Sequence, residues 1–171
     1  SGISWRAWVV WAMALMFFLL QLFLQLCSGE MIGSVMKTLK LTALQGGWLM
    51  SSYYYVAVFL QIPGGVLLDR FGPRRVLTVA AVVMGVGCYC FASASGLAMA
   101  VTGRLLMGAG GACSFVGCMA VVTRWFPTRY FSLMIAVTEC AAFFAAVVGD
   151  VGLSWWLPAF GWQFFMRLSA V

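Results

Sequence analysis

The chain alternates long apolar runs with short polar breaks. A helix needs ~20 mainly apolar residues to cross a hydrocarbon layer of about 30 Å, and the runs 7–29, 46–68 and 131–153 reach that length. The run 76–123, which contains Arg104 as its only charged residue, is too long for one span. Because Ser93–Gly96 is the only turn-like cluster within it, we expect two helices joined there. The predicted spans are 7–29, 46–68, 76–92, 97–123, 131–153 and an incomplete sixth, 159–171.

Two features of the last third complete this pattern. Residues 154–158, SWWLP, carry the aromatic residues and proline that are typical of a loop at the membrane interface. The run that follows them is too short to cross a bilayer as it stands, since ~20 residues are needed. We therefore expect the chain to be a fragment of a longer membrane protein.

Composition indicates an all-α integral membrane protein. Of the 171 residues, 64% are hydrophobic and 8% are charged, whereas ordinary globular domains carry roughly 25% charged residues. Lipid is therefore the expected partner for most of the surface, and we predict no nucleic-acid partner despite the net charge of +6. Basic residues instead report sidedness, because cytoplasmic loops are enriched in them. One side of the predicted membrane holds six arginines, and the other holds only Lys37 and Lys40. This bias predicts a cytoplasmic N-terminus, with the arginine side formed by Arg6, Arg70, Arg74, Arg75, Arg124 and Arg129.

The sequence offers little of the side-chain chemistry that enzymes commonly use. It contains no histidine, so histidine-dependent catalytic triads and proton shuttles are excluded. The six cysteines lie in apolar runs without a CxxC pair, which favours small buried side chains over a metal or disulfide framework. We predict that the protein is not an enzyme and has no metal site or cofactor.

A charged knot separates the second and third predicted spans. Gly65-x-x-x-Asp69-Arg70-x-Gly72-x-Arg74-x-x-Leu77 crowds four charged residues between two apolar runs. Gly65 is expected to let another helix approach closely, and Gly72 to form a tight turn with positive φ. Asp69 could accept hydrogen bonds from exposed helix N-terminal amides. Any basic residues could fix sidedness, so sidedness alone does not explain this pattern.

This pattern resembles the loop 2–3 signature of the major facilitator superfamily of transporters. Arg104-x-x-x-Gly108-x-Gly110 is similar to the family's fourth-helix motif, Arg124-Trp125-Phe126-Pro127 to its loop 4–5, and Gly161-Trp162 to its usual opening of helix six. One departure is Pro73, which stands where the family usually has a basic residue. The resemblance covers essentially the whole chain and implies the N-terminal six-helix half of a twelve-helix fold. It also implies a partner, the C-terminal six-helix half, onto which Asp69 would latch in the outward-open state.

Charged residues inside predicted spans are expensive, at roughly 2.5–3.5 kcal/mol each on insertion scales, so they are candidates for function. By the helical rise, Arg104 lies ~10 Å below the outer surface, Glu139 about 10–12 Å from the cytoplasmic side and Arg167 ~12 Å below the outer surface. Arg104 could handle substrate or protons, or could bond helix-end carbonyls as a structural residue. Glu139 could couple transport to H⁺ or serve as an ion-pair partner. Arg167 is a weaker candidate, because the family's helix six usually lies away from the cavity.

Uncharged polar residues add further candidates within the spans. Gln21 and Gln25 are i,i+4 neighbours and therefore share one helix face, and Tyr53 and Tyr54 lie in the second span. Each could equally serve as a polar contact between helices. The fourth span also has glycines suited to close helix packing, which are Gly103, Gly108, Gly110, Gly111 and Gly117.

These observations predict a secondary active transporter that works by alternating access in the plasma (inner) membrane. Arg104 in a largely uncharged cavity favours a small organic anion or zwitterion as the substrate. Two alternatives stay open: a proton-coupled drug exporter and a non-transporting, half-size assembly module. The first is less favoured, because the fifth span lacks the Gly-Pro pair usual in those exporters.

Overall fold

The computed structural model describes residues 4–160 and Arg167, except for the side chains of Cys27, Ser28, Glu30, Asp150 and residues 153–160. Within this part of the chain the protein is helical, with one short 3₁₀ turn at Thr128–Tyr130. The predicted all-α fold class is confirmed. The long helices are α1 Trp5–Leu39, α2 Ala43–Phe71, α3 Pro73–Ala92, α4 Leu97–Trp125 and α5 Phe131–Phe160.

Local chemistry explains where these helices begin and end. Thr42 and Gln45 cap α2 reciprocally, because each side chain bonds the other residue's backbone N–H, at 3.3 and 2.9 Å. Gly72 alone separates α2 from α3 and has φ +82°, the positive value predicted for it. Pro73 follows as the first residue of α3, where its missing N–H leaves no hydrogen bond unmade.

Two helices continue beyond the apolar runs that predict them. α1 has 35 residues and ends at Leu39, where Lys40 takes a left-handed conformation with φ +50°. α5 extends through residues 154–158, where we predicted a loop. Helical hydrogen bonding can continue past the point where apolar character ends, so hydropathy does not fix a helix terminus. Residues 159 and 160 of the predicted sixth span belong to the end of α5. The rest of that span lies outside the described residues except for Arg167, which is exposed.

α4 is the central helix of the bundle and packs against α1, α2 and α3. Its glycines allow the backbones of neighbouring helices to come close. A Cβ at Gly108 would lie 2.5 Å from the carbonyl oxygen of Tyr53 on α2, and one at Gly110 would lie 2.5 Å from that of Ala80 on α3. The close packing predicted for these two glycines is therefore present.

Large apolar side chains cover the outer faces of the bundle. Phe59 and Ile62 on α2 are 77% and 80% exposed, and Phe144 on α5 is 73% exposed. Soluble monomers rarely expose apolar surface on this scale, while lipid solvates it readily. Five of the described helices are long and apolar enough to cross a bilayer, so the chain is a multi-pass membrane protein.

Candidate functional site

A polar cleft of about 280 Å³ opens between α1, α2, α4 and α5. Ser114, on its α4 wall, lies 11 residues before the end of that helix at Trp125, or ~16 Å at the helical rise. This depth is about half of a 30 Å hydrocarbon layer. The polar residues that line the cleft are Gln21, Gln25, Tyr53, Tyr54, Gln61, Ser114 and Glu139.

Gln21 is the centre of a hydrogen-bond network that joins three helices. Its side-chain amide donates to the Tyr53 hydroxyl at 2.7 Å and to the Gln25 carbonyl oxygen at 2.8 Å. Its own carbonyl oxygen lies 3.2 Å from the Ser114 hydroxyl, whose single hydrogen is shared with the backbone oxygen of Gly111 at 2.7 Å. A buried polar group is stable only with such partners, so the network fixes the side chains of one cleft wall.

Glycine on α4 makes room for this network. A Cβ at Gly111 would lie 2.6 Å from the Tyr53 hydroxyl oxygen and 3.0 Å from Cγ of Gln21. A larger residue would therefore displace either Tyr53 or Gln21. The glycines of α4 thus set the shape of the cleft as well as the spacing of the helices.

Arg104 lies behind Tyr53 and does not line the cleft. Its side chain is 1% exposed, and its guanidinium carbon sits 4.9 Å from the centroid of the Tyr53 ring. A guanidinium at this distance from an aromatic face makes a cation–π interaction. A terminal nitrogen of Arg104 also lies 3.9 Å from the sulfur of Met50. The arginine is therefore held against the back of a cleft residue.

Glu139 reaches the cleft from α5 and is partly buried. The neighbouring residue, Thr138, is fully buried and accepts a hydrogen bond of 3.3 Å from the indole nitrogen of Trp11 on α1. This bond ties α5 to α1 one position away from the carboxylate. The position of Glu139 relative to α1 is therefore well defined.

The structure brings five of the six predicted substrate or proton residues to one cleft and puts Arg104 behind it. Gln61 was missed by the sequence analysis. It follows Tyr54 by seven residues on α2, which is two helical turns on the same face, so spacing could have identified it. Ser114 lies on α4, and its place beside Gln21 on α1 depends on how these two helices pack, which the sequence does not show.

The charged knot between α2 and α3 is held from α4. The Arg124 guanidinium donates to the backbone oxygen of Leu68 at 3.3 Å, at the end of α2. The Asp69 side chain is exposed and makes no hydrogen bond with any other residue that the structure describes. The close approach predicted at Gly65 is found instead at Gly64, whose Cβ would lie 2.9 Å from the sulfur of Cys113. No described atom lies within 4 Å of the corresponding position at Gly65, because that residue faces away from α4.

Comparison with known proteins gives consistent matches. The sequence profile of the Major Facilitator Superfamily matches residues 9–171. The probable galactarate/D-glucarate transporter GarP of Escherichia coli K12 is 28% identical over 143 residues, covering 80% of this chain and 32% of GarP. GudP of Escherichia coli K12, which is also described as a probable galactarate/D-glucarate transporter, is 33% identical over 129 residues. The match covers 70% of this chain and 29% of GudP.

A third relative has a different named substrate. The probable sulfoacetate transporter SauU of Cupriavidus necator is 28% identical over 132 residues, covering 77% of this chain and 31% of SauU. The chain therefore spans about a third of the length of these curated relatives.

Proposed function

Because the chain belongs to the major facilitator superfamily, we propose that it forms one six-helix half of a secondary transporter. The other six-helix half would be its partner, and the solute would be a small organic anion carried by alternating access. Transporters of this kind bind their solute near the bilayer midplane, between two bundles. Superfamily membership and relatives named as transporters support a transport role over an enzymatic one.

The polar cleft is the observation on which this proposal depends. Polar side chains inside a membrane are rare and mark solute or ion pathways. Seven of them line one cleft, and the network around Gln21 holds several of them in place. If these polar residues served only as contacts between helices, all of them would be buried. Tyr54 and Gln61 are exposed instead, which favours a role toward a solute.

An organic anion is favoured by charge and by the relatives. Arg104 is a buried cation beside Tyr53, and it raises the electrostatic potential in that wall of the cleft. Three relatives are named as transporters of galactarate and D-glucarate or of sulfoacetate, all of which are organic anions. Glu139 lines the same cleft and is the proposed site for H⁺, since a carboxylate beside the solute can take up and release a proton.

We also propose an orientation and a role for the charged knot. Six arginines lie on the same predicted side of the membrane, within the knot, at the start of α1 or around the end of α4. They favour a cytoplasmic position for that side, with the protein in the inner membrane. Asp69 is exposed at the end of α2 and is available to a helix N-terminus of the second half. Replacement of Asp69 by Asn would remove this charge at constant shape, and transport should fall while the amount of folded protein stays the same.

Uptake by proteoliposomes tests the proposal. The full-length protein, purified and reconstituted, should accumulate radiolabelled galactarate or D-glucarate above protein-free vesicles. Replacement of Gln21 by Leu should abolish most of this uptake, because the Tyr53 hydroxyl and the Gln25 carbonyl oxygen would lose the hydrogen bonds that Gln21 donates. Uptake of a cationic drug in place of all organic anions would contradict the proposed solute class. No uptake of any solute would favour the assembly module.

A further inference from the structure

Apart from Glu139, the polar groups that line the cleft are neutral amides and hydroxyls, which suit alcohols better than carboxylates. We infer that it binds the hydroxyl groups of a polyhydroxylated organic acid, and that the carboxylates of this solute are bound by groups outside the cleft. This inference rests on the proposed function and narrows its solute class. The solute would be a sugar-derived acid rather than a simple diacid or a sulfonate.

The chemistry of the lining supports this assignment. The cleft presents three side-chain amides and three hydroxyls, from Gln21, Gln25, Gln61, Tyr53, Tyr54 and Ser114. An amide offers both donors and an acceptor, and a hydroxyl offers one donor and two lone pairs. Neighbouring alcohol groups on a carbon chain need this mixture, because each of them donates and accepts.

Carboxylates need a different lining. An ionised carboxylate only accepts hydrogen bonds, and arginine binds it best through two parallel bonds. Among the described residues that line the cleft there is no arginine or lysine, and the charged member is Glu139. A carboxylate placed beside Glu139 would be repelled, whereas an alcohol could donate a hydrogen bond to it.

Arg104 does not supply the missing cation at the cleft surface. The Tyr53 ring covers its guanidinium, at 4.9 Å from the ring centroid, and the side chain is 1% exposed. Its charge reaches the solute only through Tyr53. It therefore acts as a positioning residue for that ring in this account.

Several lining groups have hydrogen-bonding capacity left for a solute. Gln21 already uses both amide hydrogens and its oxygen within the protein. Gln25 accepts from Gln21, and its own NH₂ group makes no hydrogen bond with the rest of the described chain. The same holds for the Gln61 amide and the Tyr54 hydroxyl. These three groups lie on α1 and α2, on the open side of the network.

Cleft size agrees with a small solute. The volume of 280 Å³ is close to the lower bound of about 300 Å³ for ligand pockets. A site built to bond hydroxyls discriminates strongly against an analogue that lacks them, because its polar groups are left unpaired. Specificity should therefore follow the hydroxyls of the solute.

Competition for galactarate uptake by the reconstituted full-length protein tests the inference. Galactitol keeps the six-carbon chain and its hydroxyls without carboxylates, and adipate keeps the chain and both carboxylates without hydroxyls. We expect galactitol to inhibit at concentrations at least tenfold lower than adipate or sulfoacetate. The inference would be overturned if adipate inhibited at the same concentration as unlabelled galactarate while galactitol had no effect.

Adjacent tyrosines on α2 provide a matched pair of variants. Tyr54 and Tyr55 are both exposed, at 48% and 57%, and of the two only Tyr54 lines the cleft. We expect Tyr54→Phe to weaken galactitol inhibition about threefold to tenfold, the effect of one hydrogen bond, while Tyr55→Phe leaves it unchanged. Equal behaviour of the two variants would also overturn the inference. Absence of all organic-acid uptake would overturn the proposed function itself, and the inference with it.

Discussion

At the scale of single residues, the sequence predicted that Arg104 lies within a long apolar helix but did not predict which side chain it contacts. Arg104 stands alone in a run of 48 residues, 76–123, so its burial could be foreseen. Its contact with the Tyr53 ring could not be foreseen, because that contact depends on how α4 packs against α2. Gln21 and Gln25 were predicted to share a face from their i,i+4 spacing, and they are hydrogen bonded at 2.8 Å. Local spacing thus predicts partners on one helix, while partners across helices require the packed bundle.

Arg104→Lys should separate the charge of this residue from its shape. Lysine keeps the positive charge but lacks the planar group that stacks on an aromatic ring, and cation–π contacts are worth about 0.5–2 kcal/mol. We expect solute affinity to weaken about threefold to tenfold, since 1.4 kcal/mol corresponds to a factor of ten. Titration of purified protein with galactarate, beside its melting temperature, measures the effect.

The two readouts distinguish positioning from scaffolding. In the positioning account, affinity falls while the melting temperature of Arg104→Lys stays within a few degrees of wild type. Unchanged affinity together with a large loss of thermal stability would instead make Arg104 a scaffold residue.

At the scale of helices, most of the close packing that could be predicted followed from the positions of the glycines on α4. The glycines at 103, 108, 110, 111 and 117 were expected to allow close contact, and the structure shows backbone or side-chain atoms beside each of them. Helix ends were predicted less well. α1 and α5 outlast their apolar runs, because hydropathy marks which residues lipid can solvate and does not mark where helical hydrogen bonds stop.

Gly108→Ala tests the packing of α2 against α4. The added methyl group would lie 2.5 Å from the Tyr53 carbonyl oxygen, which forces backbone movement and costs about 1–3 kcal/mol. We expect a lower melting temperature and weaker solute binding, since Tyr53 also forms the cleft. Gly47→Ala is the matched control, because no described atom lies within 4 Å of its added group and alanine favours a helix by up to about 1 kcal/mol. Equal melting temperatures for the two variants would contradict the close approach.

At the scale of the whole molecule, composition and the charged knot predicted the fold class and the superfamily, both of which are confirmed. The polar cleft could not be predicted in this way, because it is assembled from four helices whose lining residues are far apart in sequence. Sidedness stays a prediction from the arginine bias.

Thiol labelling checks the orientation. Ser95 is exposed in the short connection between α3 and α4, on the side opposite the charged knot. In a background without cysteines, Ser95→Cys should react with an impermeant reagent added outside whole cells. Cysteine in place of Arg75 serves as the control and should react only after lysis. The reverse pattern would show that the N-terminus is outside.

Solute protection of a single cysteine at Ala57 tests the central claim most directly. Ala57 lines the cleft on α2, so a bound solute should shield a thiol there. In the full-length protein without other cysteines, saturating galactarate should slow the labelling of Ala57→Cys at least fivefold and leave Ser95→Cys unaffected. Transport of galactarate with no protection of the thiol at position 57 would show that the solute passes elsewhere.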